Sequence, residues 1–178
     1  MPNWCNNNIE LFHPDKAMVE RAAKAFADGS LLNEFIPLPA ELKDTTSPSE
    51  TNEALVEKYG ASDWYSWCVN NWGTKWDISP YGCEINEFGT LVGAFDSPWG
   101  PPIEAYAKFQ ELGFEVRAYF NEPGMGFCGL FECNEESYDY SGMSADEVED
   151  YIPETLNEMY GITESMREWE EENGEDDE

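Results

Sequence analysis

Asp63-Trp-Tyr-Ser-Trp-Cys-Val-Asn-Asn-Trp-Gly-Thr-Lys-Trp-Asp77 holds four of the chain's seven tryptophans within thirteen positions. Read for periodicity, Ser62 caps a short helix in which Tyr65, Cys68, Val69 and Trp72 share one face, with Trp64 and Trp67 flanking it. Gly73 ends that helix as a left-handed cap, and Thr74 to Ile78 alternates like the start of a strand. The segment therefore turns a corner. A tryptophan buries about 150–250 Å², so Trp64, Trp67, Trp72 and Trp76 are expected to build core around this corner. The functional alternative is an aromatic platform that stacks bases or anchors a partner, and it requires at least two of these rings to stay exposed.

Upstream, residues 3–12 alternate Cys5, Asn7, Ile9 and Leu11 against Trp4, Asn6, Asn8 and Glu10, which predicts a first strand with the first set facing inward. Pro14 and Asp15 suit a helix start, and Val19, Ala22, Ala23 and Phe26 follow at helical spacing to Asp28-Gly29. The prolines of Phe35-Ile-Pro-Leu-Pro39 impose extended geometry and place residues 31–42 along the surface. Residues 43–53 read as a mobile insertion, followed by a short helical piece at Glu53 to Tyr59 before Gly60.

Downstream, Thr74 to Ile78, a turn around Pro80-Tyr81-Gly82 and a strand through Leu91 to Phe95 suggest a hairpin. Pro101 or Pro102 opens a helix carrying Ile103, Tyr106, Ala107 and Phe109 or Gln110, to Leu112-Gly113. Strands at Phe114–Phe120 and Phe127–Cys133 flank the turn Glu122-Pro-Gly-Met-Gly126. The order β, α, insertion, β, β, α, β, β fits an α+β fold: a ferredoxin-like antiparallel sheet backed by helices, with an added strand. The expected domain spans residues 1–137, with an insertion at about 30–62. Residues 138–178 form an acidic C-terminal helical extension with a disordered tail.

Four stretches carry a family resemblance: Met1-Pro-Asn-Trp-Cys-Asn-Asn7; Trp64-Tyr65 through Asn71-Trp-Gly-Thr-Lys-Trp76; Phe95 through Trp99-Gly-Pro-Pro102; and Glu122-Pro-Gly-Met-Gly-Phe-Cys-Gly129. Over roughly residues 1–135 the chain resembles the YubB-like ferredoxin-like family, a group of uncharacterised proteins from phages, plasmids and pathogenicity islands. The resemblance implies a fold and a mobile-element origin, not an activity. The acidic extension lies outside it.

Thirty-eight Asp and Glu stand against nine Lys and Arg, a formal net charge of −29. Such a field repels phosphate backbones and acidic membranes, so direct nucleic-acid or membrane binding is disfavoured and a basic protein partner is favoured. Acidity also serves solubility or tolerance of high salt. No apolar run approaches the roughly 20 residues of a membrane span, and no secretory leader is evident, so a cytoplasmic location is expected. Oligomeric state is not legible. Five irregularly spaced cysteines, Cys5, Cys68, Cys83, Cys128 and Cys133, suit reduced thiols, and with a lone His13 they imply neither a metal site nor a cofactor.

Between Asp146 and Glu178 fifteen carboxylates accompany one base, Arg167. Ser144-Ala-Asp-Glu147 is a capping box, and Val148, Tyr151, Ile152, Leu156, Met159 and Tyr160 make an apolar stripe interrupted at Pro153. A second helical piece starts at Thr163, and Glu170 to Glu178 reads as a solvated, disordered run. The resulting expectation is a non-enzymatic binding protein that blocks a basic groove of a host nuclease, defence effector or DNA-binding regulator by DNA mimicry. Asp146, Glu147, Glu149, Asp150, Glu154 and Glu158 would carry it, supported by Glu168, Glu170, Glu171 and Glu172. The rival is an aromatic-lined protein-binding module using Trp64, Trp67, Trp72 and Trp76. A minor alternative is an enzyme in which Pro2, freed of Met1, acts as a tautomerase-like base. That chemistry needs cations to hold an oxoacid, and Arg21, Arg117 and Arg167 are the only arginines.

Overall fold

The alternation of Cys5, Asn7, Ile9 and Leu11 does produce the central strand, β1 (Trp4–Phe12), with those four side chains buried. The computed structural model describes residues 2–174. After β1 come α1 (Lys16–Ala27), α2 (Leu31–Phe35), α3 (Ala40–Lys43), α4 (Glu53–Tyr59) and α5 (Trp64–Trp72). Next follow β2 (Ser79–Ile85), β3 (Leu91–Pro98), α6 (Ile103–Glu111), β4 (Glu115–Glu122), β5 (Phe127–Phe131) and β6 (Glu135–Asp139). The chain then forms α7 (Ala145–Tyr151), α8 (Glu154–Tyr160) and α9 (Ile162–Gly174).

The six strands form one sheet in the order β2-β3-β1-β4-β5-β6, with every neighbouring pair antiparallel. The β2-β3-β1-β4 part is the split β–α–β order of a ferredoxin-like domain, and β5 and β6 extend it beyond β4. Cross-strand register puts Asn7 opposite Phe95 and Phe120, and Leu11 opposite Leu91 and Val116. This face packs on Val19, Ala22 and Phe26 of α1 and on Ala105, Tyr106 and Phe109 of α6 to make the main core.

The opposite face, on which Asn6, Asn8, Tyr119 and Cys128 stand, is covered from β4 outward by the C-terminal helices. Val148, Ile152, Leu156 and Ile162 form a second core with Cys128 and Tyr140, and Tyr119, Tyr138, Tyr160 and Met166 pack around it. Asn8 donates to the Tyr160 hydroxyl at 3.0 Å, which fixes the end of α8 over the central strand. The acidic extension is thus a third layer of the fold. Its stripe docks as expected through Val148, Ile152 and Leu156, whereas Tyr151 and Met159 remain exposed. Pro153 separates α7 from α8, and the Ser144–Glu147 capping box is formed. Helix α9 continues through Glu170, Glu171 and Glu172 to Gly174, past the expected start of disorder. Residues 175–178 lie outside the described residues.

Other expectations need correction. Residues 31–42 do not run along the surface: they form α2 and α3 and bury Leu31, Leu32, Ile36 and Leu42. Thr74 to Ile78 is not a strand, because the Asp77 carboxylate instead accepts the backbone N–H groups of Leu32, Asn33 and Ile78, a local side-chain bond that competes with a ladder. Pro80 and Gly82 mark a register shift inside β2, not the hairpin turn. The turn is at Asn86–Thr90, where the Asn86 side chain accepts from the Phe88 and Thr90 amides and Gly89 takes φ 78°. Strand β6 has no apolar alternation to mark it in the sequence. Both outer strands have blunted edges: β2 by Pro80 and its shift, β6 by exposed Glu135, Glu136 and Asp139.

Leu156 is fully buried in the second core. Leu156→Ala should cost about 2–5 kcal/mol of unfolding free energy, read as a lowered urea midpoint by far-UV circular dichroism.

Candidate functional site

Helix α5 begins one residue later than its sequence suggests. Asp63, not Ser62, is the cap: its carboxylate accepts from the Ser66 amide at 2.9 Å and from the hydroxyls of Ser66 and Ser49. Ser62 is used elsewhere, accepting the Asn52 amide. Burial pushes the Asp63 carboxyl up, but the hydrogen bonds from the Ser66 backbone and side chain and from Ser49 outweigh it and hold it below its ordinary value. Trp67 and Trp72 point into the core, edge to face at 5.8 Å, and the Trp72 indole donates to the Ile36 carbonyl. Trp64 is half-buried against the same core. Of the four tryptophans in this stretch, Trp76 alone counts as exposed.

Three backbone junctions then deliver Trp76 to the end of the sheet. Gly73 closes α5 in the left-handed region, φ 82°, and a Cβ there would lie 3.0 Å from the Ile103 nitrogen, so the corner sits against the start of α6. The Thr74 hydroxyl donates to the Pro98 carbonyl. The Trp99 amide donates to the Asn3 carbonyl at 2.8 Å, which brings Trp4 alongside. Trp4 and Trp76 have ring centroids 6.5 Å apart. The Lys75 ammonium lies 3.9 Å from the Trp76 centroid and 4.1 Å from that of Trp99. Trp99 adopts φ 67°, the one non-glycine residue with positive φ among the described residues; such a bulky residue held there costs of order 1–3 kcal/mol. Trp4, Trp76 and Trp99 are 39%, 44% and 49% exposed, so the rings form a surface wall.

Two acidic residues lie near the ends of the strands that flank β1 here, Asp96 in β3 and Glu122 in β4. Asp96, paired across from Asn6, accepts from the Asn6 amide at 2.7 Å and from the Tyr81 hydroxyl at 2.5 Å. Glu122 is buried and accepts from the backbone amides of Gly124 and Met125. The four stretches that carry the family resemblance therefore meet at one end of the sheet. Sequence reading missed Trp4 and Trp99 as partners of Trp76 because they come from separate segments that only the fold joins, and it missed Lys75, the sequence neighbour of Trp76, because only the fold shows its ammonium over two rings.

The ten carboxylates singled out on the C-terminal helices, Asp146, Glu147, Glu149, Asp150, Glu154, Glu158, Glu168, Glu170, Glu171 and Glu172, are all exposed. Four have intramolecular work. Asp146 and Glu149 share Arg167, linking α7 to α9. Glu147 closes the capping box, where hydrogen bonds from the Ser144 backbone and side chain hold it below its ordinary value. Glu170 accepts from the Ala145 amide at the start of α7. The other six make no side-chain hydrogen bond among the described residues.

The cysteines, the histidine and the arginines of the described residues have the following surroundings. Burial pushes Cys5 far up, with Glu122 and Asp96 adding to it, and pushes Cys68 to about 12 and Cys128 to about 11. Such thiols are not nucleophiles at neutral pH. His13 accepts the Asp15 amide and packs edge-on against Phe114. Arg21, Arg117 and Arg167 are each bound to carboxylates, so none is free beside half-buried Pro2. Among the described residues no group of three or more His, Cys, Asp or Glu is placed to hold a metal ion, and no helix is long and apolar enough to cross a membrane.

No protein-family model matches the chain, and no curated protein matches it. A solved structure of the protein api92 from Yersinia pseudotuberculosis, of the family labelled DUF1281, is similar at 10% identity and a TM-score of 0.43, covering 78% of this chain and 98% of that one. A likeness this distant carries no argument about function or about the resemblance drawn from the motifs.

Asp63→Ala should destabilise by about 0.5–2 kcal/mol at pH 7. Because the folded carboxyl is held below its unfolded value near 4, that contribution is full above this value and is lost as pH falls through the folded one. Urea titrations at pH 7 and pH 3 should show the deficit shrinking at the lower pH. Thiol labelling with iodoacetamide should modify exposed Cys133 first and half-buried Cys83 slowly, leaving Cys5, Cys68 and Cys128 unmodified until denaturant is added.

Proposed function

We propose that this is a non-enzymatic acidic binding protein that occupies a basic groove of a host DNA-binding or defence protein, such as a nuclease, restriction enzyme or CRISPR-type effector, as a mimic of DNA. The supporting observation is the C-terminal layer. Between Ala145 and Gly174 eleven carboxylates accompany one base, on helices whose inner side is docked to the sheet. Charges mounted on a packed scaffold lose little freedom on binding, and their cationic partner releases the same counterions that it would release on duplex DNA. The resemblance to mobile-element proteins is in keeping with a host target and a host-cytoplasmic location. A net charge of −29 repels nucleic acid and anionic membranes, so a basic protein is the favoured partner.

A second reading, an aromatic-lined protein-binding module, draws on exposed Trp76 with Trp4 and Trp99, and not on Trp64, Trp67 or Trp72. The two readings separate by mutation. Reversing charge on α7–α9 abolishes the first activity and spares the second; Trp76→Ala abolishes the second and leaves the salt-sensitive part of the first in place.

The test is capture of a host protein on the immobilised chain. Affinity should fall by about a thousandfold or more between 50 and 200 mM salt if six or more charges are engaged. Duplex DNA should compete, and changing Glu154, Glu158, Glu168 and Glu171 together to Lys should abolish capture while far-UV circular dichroism stays native. Salt-insensitive capture, or capture that DNA leaves intact, overturns the proposal.

A further inference from the structure

We infer that the slot between Trp76 and Trp99 receives a lysine side chain of a basic protein partner, and that Lys75 is the resident cation which the incoming ammonium displaces. The inference rests on the reading that the partner is basic. The chain's own lysine shows the kind of group these two rings face. An ammonium stands over both rings, 3.9 Å and 4.1 Å from their centroids, well inside the range of about 6 Å at which the ring quadrupole attracts a cation. Trp4 continues the wall beside Trp76.

The choice of ligand follows from charge. Lys75 has no carboxylate within ion-pair distance among the described residues, although acids outnumber bases fourfold in this chain. Its ammonium therefore rests on the aromatic faces, at the end of a flexible four-carbon stem that can swing aside. Two ammoniums in one slot would repel each other, so binding is by exchange and not by addition. Asp96, half-buried and paired across from Asn6, stands on the same sheet face as Trp4, two residues along β3 from Trp4's partner Pro98, and adds a carboxylate to this end of the sheet. An anionic ligand would meet the field of −29, and a neutral one would have no use for a site that a cation already fills. Trp99 is held in its left-handed conformation by the bond from its amide to Asn3, so this wall is set before a ligand arrives.

The experiment follows the tryptophan indole N–H signals of ¹⁵N-labelled protein during titration with N-acetyl-lysine methylamide and with its ε-acetylated, neutral counterpart. The lysine probe should shift the Trp76 and Trp99 signals, and the neutral probe should leave them in place. Lys75→Ala, which vacates the slot, should tighten the response several-fold. Trp76→Leu, at an exposed ring, should abolish the response at Trp99 with the fold intact. Equal shifts from both probes, or loss of the response in Lys75→Ala, would overturn the inference. Changing Glu154, Glu158, Glu168 and Glu171 to Gln should leave the indole response unchanged. An absent response with salt-sensitive capture intact defeats the slot alone; loss of both defeats the basic-partner reading as well.

Discussion

The apolar seam joining Val148, Ile152, Leu156 and Ile162 to Cys128 and Tyr140 is the interaction on which the rest of the molecule depends. Like charges on α7, α8 and α9 repel one another, and Arg167 is the single base among them. Its exposed ion pairs with Asp146 and Glu149 supply little, typically under about 1 kcal/mol each. Burial of four aliphatic side chains at about 1.5–3 kcal/mol apiece is several times larger, so packing holds the acidic helices in place against their own field. The same seam closes the second face of the sheet. Without it, Tyr119, Tyr138 and Cys128 would lie open to water.

A different constraint governs the sheet terminus where β1 starts and β3 and β4 finish. Here the backbone, not side-chain affinity, decides which residues meet. Gly73 against α6, Thr74 on Pro98 and Trp99 on Asn3 are each contacts to main chain, and together they assemble an aromatic wall from residues 4, 76 and 99. The buried neighbours are equally well satisfied: Asn7 bonds Ser97 and Tyr106, and Asn121 bonds Tyr140. A fully paired polar layer of this kind costs little and fixes the geometry above it.

Much of this was legible in the chain. The period of two in residues 5–11, the period near 3.6 in α1 and the capping box at Ser144 each reflect one local rule acting alone. Thr74 to Ile78 misled because five alternating residues also suit an Asp77 that captures the amides of α2. Pro80 and Gly82 misled because turn residues serve a strand irregularity equally well. Residues 31–42 looked solvated from their prolines, yet their four aliphatic residues fill the main core. The carboxylates of α7–α9 were nameable one by one, since acidity and helical spacing are local properties. The tryptophan wall was not, because its members are separated by up to ninety-five positions and are joined only through tertiary contacts.

The blunted outer strands bear on how copies of this protein coexist at high concentration. A proline and a register irregularity at one margin, and three carboxylates at the other, leave neither margin able to template another β-strand. Both margins thus carry features that disfavour edge-to-edge pairing of the kind that leads to fibrils.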